Sequence, residues 1–269
     1  MNLSKRFMVK PGRKIKLSKY DTGDTAGFKE KTAAMDAVKE NAALLADLQY
    51  LLYAENKHSL LIVLQAMDGG GKDGTIRHVM SGLNPQGCTV TPFKVPSAEE
   101  ADHDYLWRIH NRVPPRGEIG IFNRSHYEEV LVVRVHNLVP ESIWSRRYNQ
   151  INAFEKLLAE NNVKILKFFL HISKDEQKRR FQQRLDDTTK NWKLEPADFE
   201  ERKHWDKYME AFEDALSRCS TSWAPWFIIP ADRKWFRNLA VSQIIVDALE
   251  DLKMKFPKAK IDPSKMHLD

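Results

Sequence analysis

The sequence predicts an α/β protein built on a five-stranded parallel sheet with helices on both faces. Three observations carry that expectation. Five short apolar runs, rich in β-branched and aromatic residues, recur along the 269 residues. Between them lie stretches with helical character, long enough to serve as crossover connections between parallel strands. The first run ends in Gly69-Gly70-Gly71-Lys72 directly ahead of a helical segment, which is the layout of a phosphate cradle.

The elements follow in order. Residues 1–26 are basic and carry turn formers at Pro11-Gly12 and Asp21-Thr22-Gly23-Asp24, so an irregular arm is expected. Over 27–56, Ala33, Ala34, Ala37, Leu44, Leu45, Leu48 and Leu51 recur at three- and four-residue spacings, which predicts an amphipathic helix. Strands are expected at 60–66, 88–94, 118–122, 163–172 and 226–230. Helices are expected at 72–82, 97–112, 125–134, 141–161, 174–186, 196–218 and 233–254. Ser97 with Glu100 three residues on reads as a capping box for the second of these. One domain spanning 1–269 is expected, with a lid module at about 174–210 and a loose tail at 256–269.

A net charge of +6 favours an anionic partner without choosing among nucleic acid, membrane surface and polyanion. Two distant cysteines, Cys88 and Cys219, read as small buried hydrophobes of a reducing compartment. The basic N-terminus lacks an apolar signal core, and no run approaches the ~18 apolar residues of a membrane span. A cytoplasmic protein is expected, with no membrane partner.

In parallel sheets ligands gather at the carboxyl ends of the strands, and Asp68, Lys94, Asn123 and Arg124 all fall there. The usual phosphate loop reads G-x-x-x-x-G-K-[ST]. Here Ala66 stands for the first glycine and Asp73 for the Ser/Thr, while Gly71, Lys72 and Thr75 remain. Gly69, Gly70, Gly71, Lys72, Asp73, Gly74 and Thr75 are the candidate phosphate-binding residues. Asp68, a carboxylate inside an anion loop, suggests a divalent cation shared with the phosphates, against the plainer reading of a turn-stabilising aspartate. Arg124 is suited to clamp a phosphate. Three readings stay open for Glu128: a metal ligand, a nucleotide contact, or the partner of an arginine. His126 reads as a packed histidine before a catalytic one.

Two further stretches are ambiguous. Phe93-Lys94-Val95-Pro96 with Tyr105-Leu106-Trp107-Arg108 lines a nucleotide pocket or packs the core. Arg180 and Arg184, one helical turn apart, together with Lys190 and Lys193, form either a solvated face or a mobile lid that brings cations onto phosphates. Trp192, Trp205 and Tyr208 read as the packing of that lid.

With these residues assembled, the chain resembles a family 2 polyphosphate kinase. The resemblance rests on Gln65 to Thr75, Gly82-Leu83-Asn84-Pro85, His103 to Arg108, Gly120 to Glu128, Leu166 to Ser173, Arg180-Phe181, Lys190 to Lys193, and Ala224 to Ala231, and covers roughly 8–255. It implies a P-loop kinase fold of thymidylate-kinase type. It also implies reversible phosphoryl transfer between inorganic polyphosphate and AMP, ADP, ATP and other purine nucleotides, with Mg²⁺ or Mn²⁺. Asp68 matches the family's metal ligand, Lys72 its loop lysine, Arg124 the arginine after the second motif, and Arg180 and Arg184 the lid. Asn123, where other members carry Asp, puts a second carboxylate ligand in question, with Asn123 or Glu128 as the candidates. Lys94, Arg108, Asn123, Arg124, Ser125, Glu128 and Arg134 form the candidate nucleotide-binding set. Ser125-His126-Tyr127-Glu128 resembles the class III subgroup, which phosphorylates both AMP and ADP. A homo-oligomer, dimer or tetramer, is implied, and nucleic acid is not an expected partner. The rivals are an ATP-dependent nucleotide kinase of thymidylate-kinase type and a non-catalytic polyanion-binding module.

Overall fold

A computed structural model describes residues 2–261 and Met266, so the expected tail at 256–269 falls in part outside the described residues. The five predicted strands are present as β1 (Ser59–Gln65), β2 (Cys88–Pro92), β3 (Ile119–Asn123), β4 (Val163–His171) and β5 (Trp226–Pro230). They form one parallel sheet in the order β2-β3-β1-β4-β5. β1 is buried along its whole length, as its unbroken Leu/Ile/Val run requires of a central strand covered on both faces. It pairs with β3 on one side (Leu60 with Ile119 through Leu64 with Asn123) and β4 on the other. The chain leaves β1 in one direction for β2 and β3, then crosses back to β4, so the end of β1 lies where the two halves of the sheet diverge.

The helices are α1 (Leu3–Phe7), α2 (Lys31–Glu55), α3 (Lys72–Val79), α4 (Ala98–Asp102), α5 (Trp107–His110), α6 (Val132–Val135), α7 (Glu141–Glu160), α8 (Lys174–Asp186), α9 (Pro196–Lys203), α10 (Trp205–Cys219) and α11 (Lys234–Glu250). α2, α3 and α11 pack together, and α7 packs with α10 and against β4. Three predicted helices differ. The helix expected at 97–112 breaks into α4 and α5, because Asp104 turns its carboxylate onto the Leu106 N–H (3.0 Å) and stops helical pairing. The capping box that starts it is present in both directions. The stretch 125–134 is a 3₁₀ turn (His126–Val130) followed by the single turn α6. The helix expected at 196–218 is interrupted at His204.

The buried stripe of α2 also differs from its apolar spacing. Ala34, Asn41, Leu45, Gln49 and Leu52 face inward, while Leu44 is exposed. The polar pair is inside because each has a partner: Asn41 Nδ2 donates to Ser242 Oγ (2.9 Å) and Gln49 Nε2 to the Asn84 carbonyl (2.9 Å).

The N-terminal arm holds to the body. Leu3 and Phe7 are buried, Phe7 edge-on to Phe236, and Met8 forms an antiparallel bridge with Phe227. That bridge covers the otherwise open edge of β5. Among the described residues no helix is long and apolar enough to cross a membrane.

Candidate active site

The glycine loop closes over the carboxyl end of β1. Gly71 is the residue before α3 and sits at φ +102°, a left-handed conformation that a side chain would strain. The first turn of α3 thus opens its free N–H groups toward the loop. Lys72, half-buried, donates to the Ala66 carbonyl (3.2 Å), and burial lowers its ammonium below the ordinary lysine value despite Asp68. A cleft of about 860 Å³ lies over the loop. Asp68, Gly69, Gly70, Gly71, Lys72, Asp73, Gly74, Lys94, Asn123, Arg124, Arg180, Arg184, Lys190 and Lys193 all line it, so most of the predicted site converges.

Two polar contacts organise the floor. Arg124 Nη2 donates to Asp68 Oδ1 (2.9 Å), and Asn123 Nδ2 donates to Asp73 Oδ1 (2.7 Å). The ends of β1 and β3 are therefore tied through the very residues that depart from, or extend, the usual loop pattern. Arg124 stands at φ +63°, a left-handed backbone that turns its side chain back over the loop. Glu128 lies behind it and is not part of the cleft wall; burial raises its carboxyl against the pull of Arg124 and Lys72.

The turn that carries Arg124 and Glu128 rests on a buried polar cluster. Lys167 Nζ donates to Glu155 Oε2 (2.5 Å), Tyr127 Oη (2.8 Å) and the Cys219 carbonyl (2.7 Å). His126 Nε2 and Tyr127 Oη meet Glu155 Oε1 at 3.1 and 2.9 Å. His126 is thus a packed histidine. Burial opposes ionisation of Glu155, but Lys167 and His126 outweigh it and hold its carboxyl low.

Several expected residues are placed elsewhere. Thr75 is buried, and its hydroxyl donates back to the Gly71 carbonyl (3.1 Å), so it braces α3 rather than facing the cleft. Ser125 is buried and accepts from Gln65 Nε2 (3.1 Å) and the Tyr127 N–H (3.2 Å), which makes it the cap of the 3₁₀ turn. Arg108 is buried over the Phe93 ring and donates to the Lys94 carbonyl (2.9 Å), so it supports Lys94 from behind and does not line the cleft. Phe93 itself packs edge-on to Phe122. Arg134 points away, into a separate hollow of about 440 Å³, where it pairs with Asp214 (2.7 Å) and Tyr148 Oη (3.0 Å).

Arg180 lines the cleft but is fully engaged. It is 4% exposed, and its guanidinium donates to the carbonyls of Gly69 (2.9 Å), Gly70 (3.0 Å), Ala231 (2.5 Å) and Asp232 (3.4 Å) and to Glu176 Oε1 (2.6 Å). It holds the loop rather than presenting free donors above it. Of the predicted lid aromatics, Trp205 and Tyr208 are buried, whereas Trp192 is 76% exposed. Missed by the sequence reading are Arg77, His78, Gln183, Glu195, Asp198, Lys234, Arg237 and Asn238, which also line the cleft. α11 contributes three of them; nothing in its apolar pattern distinguishes its first turn from an ordinary helix start.

Among the described residues no group of three or more His, Cys, Asp or Glu side chains forms a cage for a metal. Asp68 and Asp73 in the cleft fit a cation held in part by substrate phosphates, the manner in which Mg²⁺ is commonly bound.

A glycine loop at the end of a central parallel strand, fronted by a lysine and two aspartates and walled by cations, defines a P-loop phosphotransferase. The family model described as Polyphosphate kinase 2 (PPK2) matches residues 10–257. The chain belongs to that family and is a polyphosphate kinase. An AMP/ADP-polyphosphate phosphotransferase from Meiothermus ruber is 50% identical over 266 residues, covering 98% of this chain and 100% of its own. An ADP-polyphosphate phosphotransferase from Rhodopseudomonas palustris is 48% identical over 267 residues, covering 95% and 92%. The crystal structure of Polyphosphate Kinase 2 from Arthrobacter aurescens TC1 superposes with a TM-score of 0.95 at 42% identity, covering 98% of this chain and 94% of that one.

Proposed function

We propose that this chain transfers a phosphoryl group reversibly between inorganic polyphosphate and nucleotides, accepting both AMP and ADP, with Mg²⁺. The observation that carries the reading is the bank of cations on the lid and α11 flank of the cleft: Arg184, Lys190, Lys193, Lys234 and Arg237, which outnumber the two acids there, Glu195 and Asp198. A donor that is phosphate along its whole length calls for such a bank, because every repeat brings a negative charge and its counterions. The opposite flank, with Lys94, Val95 and Asn123 near the end of β2, is open for a nucleotide. The M. ruber relative is named for both AMP and ADP, and Ser125-His126-Tyr127-Glu128 resembles the wording of the dual-acceptor subgroup.

The chemistry follows from the wall. The loop N–H groups and Lys72 bind the terminal phosphoryl group of polyphosphate. A phosphate oxygen of the nucleotide, already ionised, attacks that phosphorus; the new P–O bond forms as the bond to the next phosphate of the chain breaks. No protein nucleophile or strong base is needed. Arg124, held by Asp68, neutralises charge on the transferring oxygens. Asp68, with Asp73 beside the loop, would hold the Mg²⁺, which supplies charge neutralisation between donor and acceptor phosphates.

The segment 174–210 acts as a lid that carries Arg184, Lys190 and Lys193 over the substrate, on a single P-loop kinase domain spanning the chain. We place the enzyme in the cytoplasm as a homo-oligomer, dimer or tetramer; the exposed Met35, Leu44, Tyr50 and Tyr53 on α2 support self-association.

The test is direct. The protein is incubated with AMP or ADP, Mg²⁺ and either polyphosphate or ATP, and the nucleotides are separated. ADP and ATP formed with polyphosphate alone are the expected result. Conversion with ATP only makes the protein an ATP-dependent nucleotide kinase, and no conversion with either makes it a polyanion-binding module.

A further inference from the structure

Arg237 stands in the first turn of α11 and is 2% exposed. Its side chain runs beside the glycine loop. A Cβ added at Gly71 would lie 2.0 Å from Nη1, and one at Gly74 would lie 3.3 Å from Nη2. The loop is therefore glycine at 71 not only for its backbone angle but because this guanidinium occupies the space. Nε and Nη2 both donate to Asn238 Oδ1, at 3.2 and 2.8 Å. Among the described residues no carboxylate pairs with Arg237, and Nη1 has no acceptor.

The contrast with Arg180 is instructive. Both arginines are buried beside the same loop. Arg180 has a carboxylate and four carbonyls; Arg237 has one amide oxygen. The charges nearest Arg237 are of its own sign: Arg180 across the loop and Lys234 one turn before it. Burial and Arg180 push its pKa down to about 9. The N–H groups that open α11 add positive potential at the same place. A buried cation among cations is costly unless an anion completes it. Arg237 lines the cleft, so the open Nη1 has a route to such an anion.

We propose that Arg237 contacts substrate directly: its Nη1 donates to a non-bridging oxygen of the polyphosphate seated at the glycine loop, on the α11 side. It fills the phosphate-clamping place that the sequence assigned to Arg180. The strand order puts α11 on the β5 side of the loop and Lys94 with Asn123 on the β2–β3 side. The contact is therefore to the donor chain and not to the nucleotide. This rests on polyphosphate being the donor.

The test uses Arg237→Met, of similar length and uncharged, and Arg237→Lys, which keeps the charge and loses the fork. Initial rates are measured against polyphosphate and against ADP in turn, and melting is followed with and without inorganic tripolyphosphate in the absence of nucleotide. For Arg237→Met, kcat/KM for polyphosphate should fall about 100-fold or more, while KM for ADP stays near that of the parent. Its own melting temperature should hold or rise, since an uncompensated cation has gone, and the upward shift given by tripolyphosphate should shrink. Arg237→Lys should recover part of kcat/KM. A Met variant that melts lower yet keeps the parental kcat/KM and tripolyphosphate shift makes Arg237 a packing residue and overturns the proposal. If the Met variant does not fold, a Lys variant with parental kcat/KM overturns it equally. The parent's own rate with polyphosphate is measured first, so a parent that transfers from ATP alone fails the donor assignment, a different result from a parental rate in the variants.

Discussion

Replacing Arg180 with methionine separates two roles that a turnover assay alone would confuse. If Arg180 were a phosphate clamp over an open site, its removal would lower turnover and leave the fold untouched. The contacts argue otherwise. Glu176 keeps Arg179 (2.6 and 2.7 Å) after the change, so losing its bond to Arg180 leaves no orphaned carboxylate. The carbonyls are different. That of Gly69 is partly exposed and regains water, for roughly 1 kcal/mol, while those of Gly70 and Ala231 are buried and cost about 2 kcal/mol each when unpaired. The total is about 5 kcal/mol, which for a chain of this size lowers Tm by about 10 °C. Thermal unfolding followed by circular dichroism, beside the phosphoryl-transfer rate at a temperature where the variant remains folded, measures both. A variant that melts within about 2 °C of the parent while losing ~10³-fold in rate would refute this assignment and restore the clamp.

Other outcomes follow from the same geometry. Asp68→Ala and Lys72→Ala should each abolish transfer with a native circular dichroism spectrum; a folded Asp68→Ala protein of near-parental rate would remove that carboxylate from the metal assignment. Lys167→Ala takes the ammonium from buried Glu155, leaving it His126 and Tyr127 alone, and should cost about 3–5 kcal/mol in urea unfolding. Because the folded Glu155 carboxyl is held below its ordinary value of 4.5, its contribution is present above that pH and is lost as pH falls through the lower folded value. Acid unfolding of Glu155→Gln should accordingly be less steep across this window than that of the parent, and superimposable curves would contradict the pairing. Finally, KM for polyphosphate should rise steeply with added KCl while KM for ADP moves less, and equal slopes would argue against a multi-cation polyphosphate track.

The sheet was legible because each strand is a short β-branched or aromatic run bounded by turn formers, and β5 matches residue for residue at 226–230. The loop was legible because glycine, lysine and a preceding buried strand occur together. The long helical stretches were less so: Asp104 and His204 break them through local turns that periodicity alone does not register. Side-chain direction was the least accessible. Arg180 sits midway along α8 and Arg237 in the first turn of α11, and only the fold decides that the first is consumed by carbonyls and the second is left facing the cleft. Arg108 and Arg134 were likewise reasonable cations in the right neighbourhood whose partners, Lys94 and Asp214, lie where packing takes them.

Arg180 also joins residues that are made at very different times. It reaches back to Gly69 and Gly70 and forward to Ala231, some 110 residues in one direction and 51 in the other. A chain emerging from the ribosome displays its complete glycine motif long before β5 exists to anchor the arginine that seats it. Until Ala231 has been added, Arg180 lacks the carbonyl that holds its Nη2 beside the loop. The seat of the glycine motif is thus completed only by the last strand of the sheet.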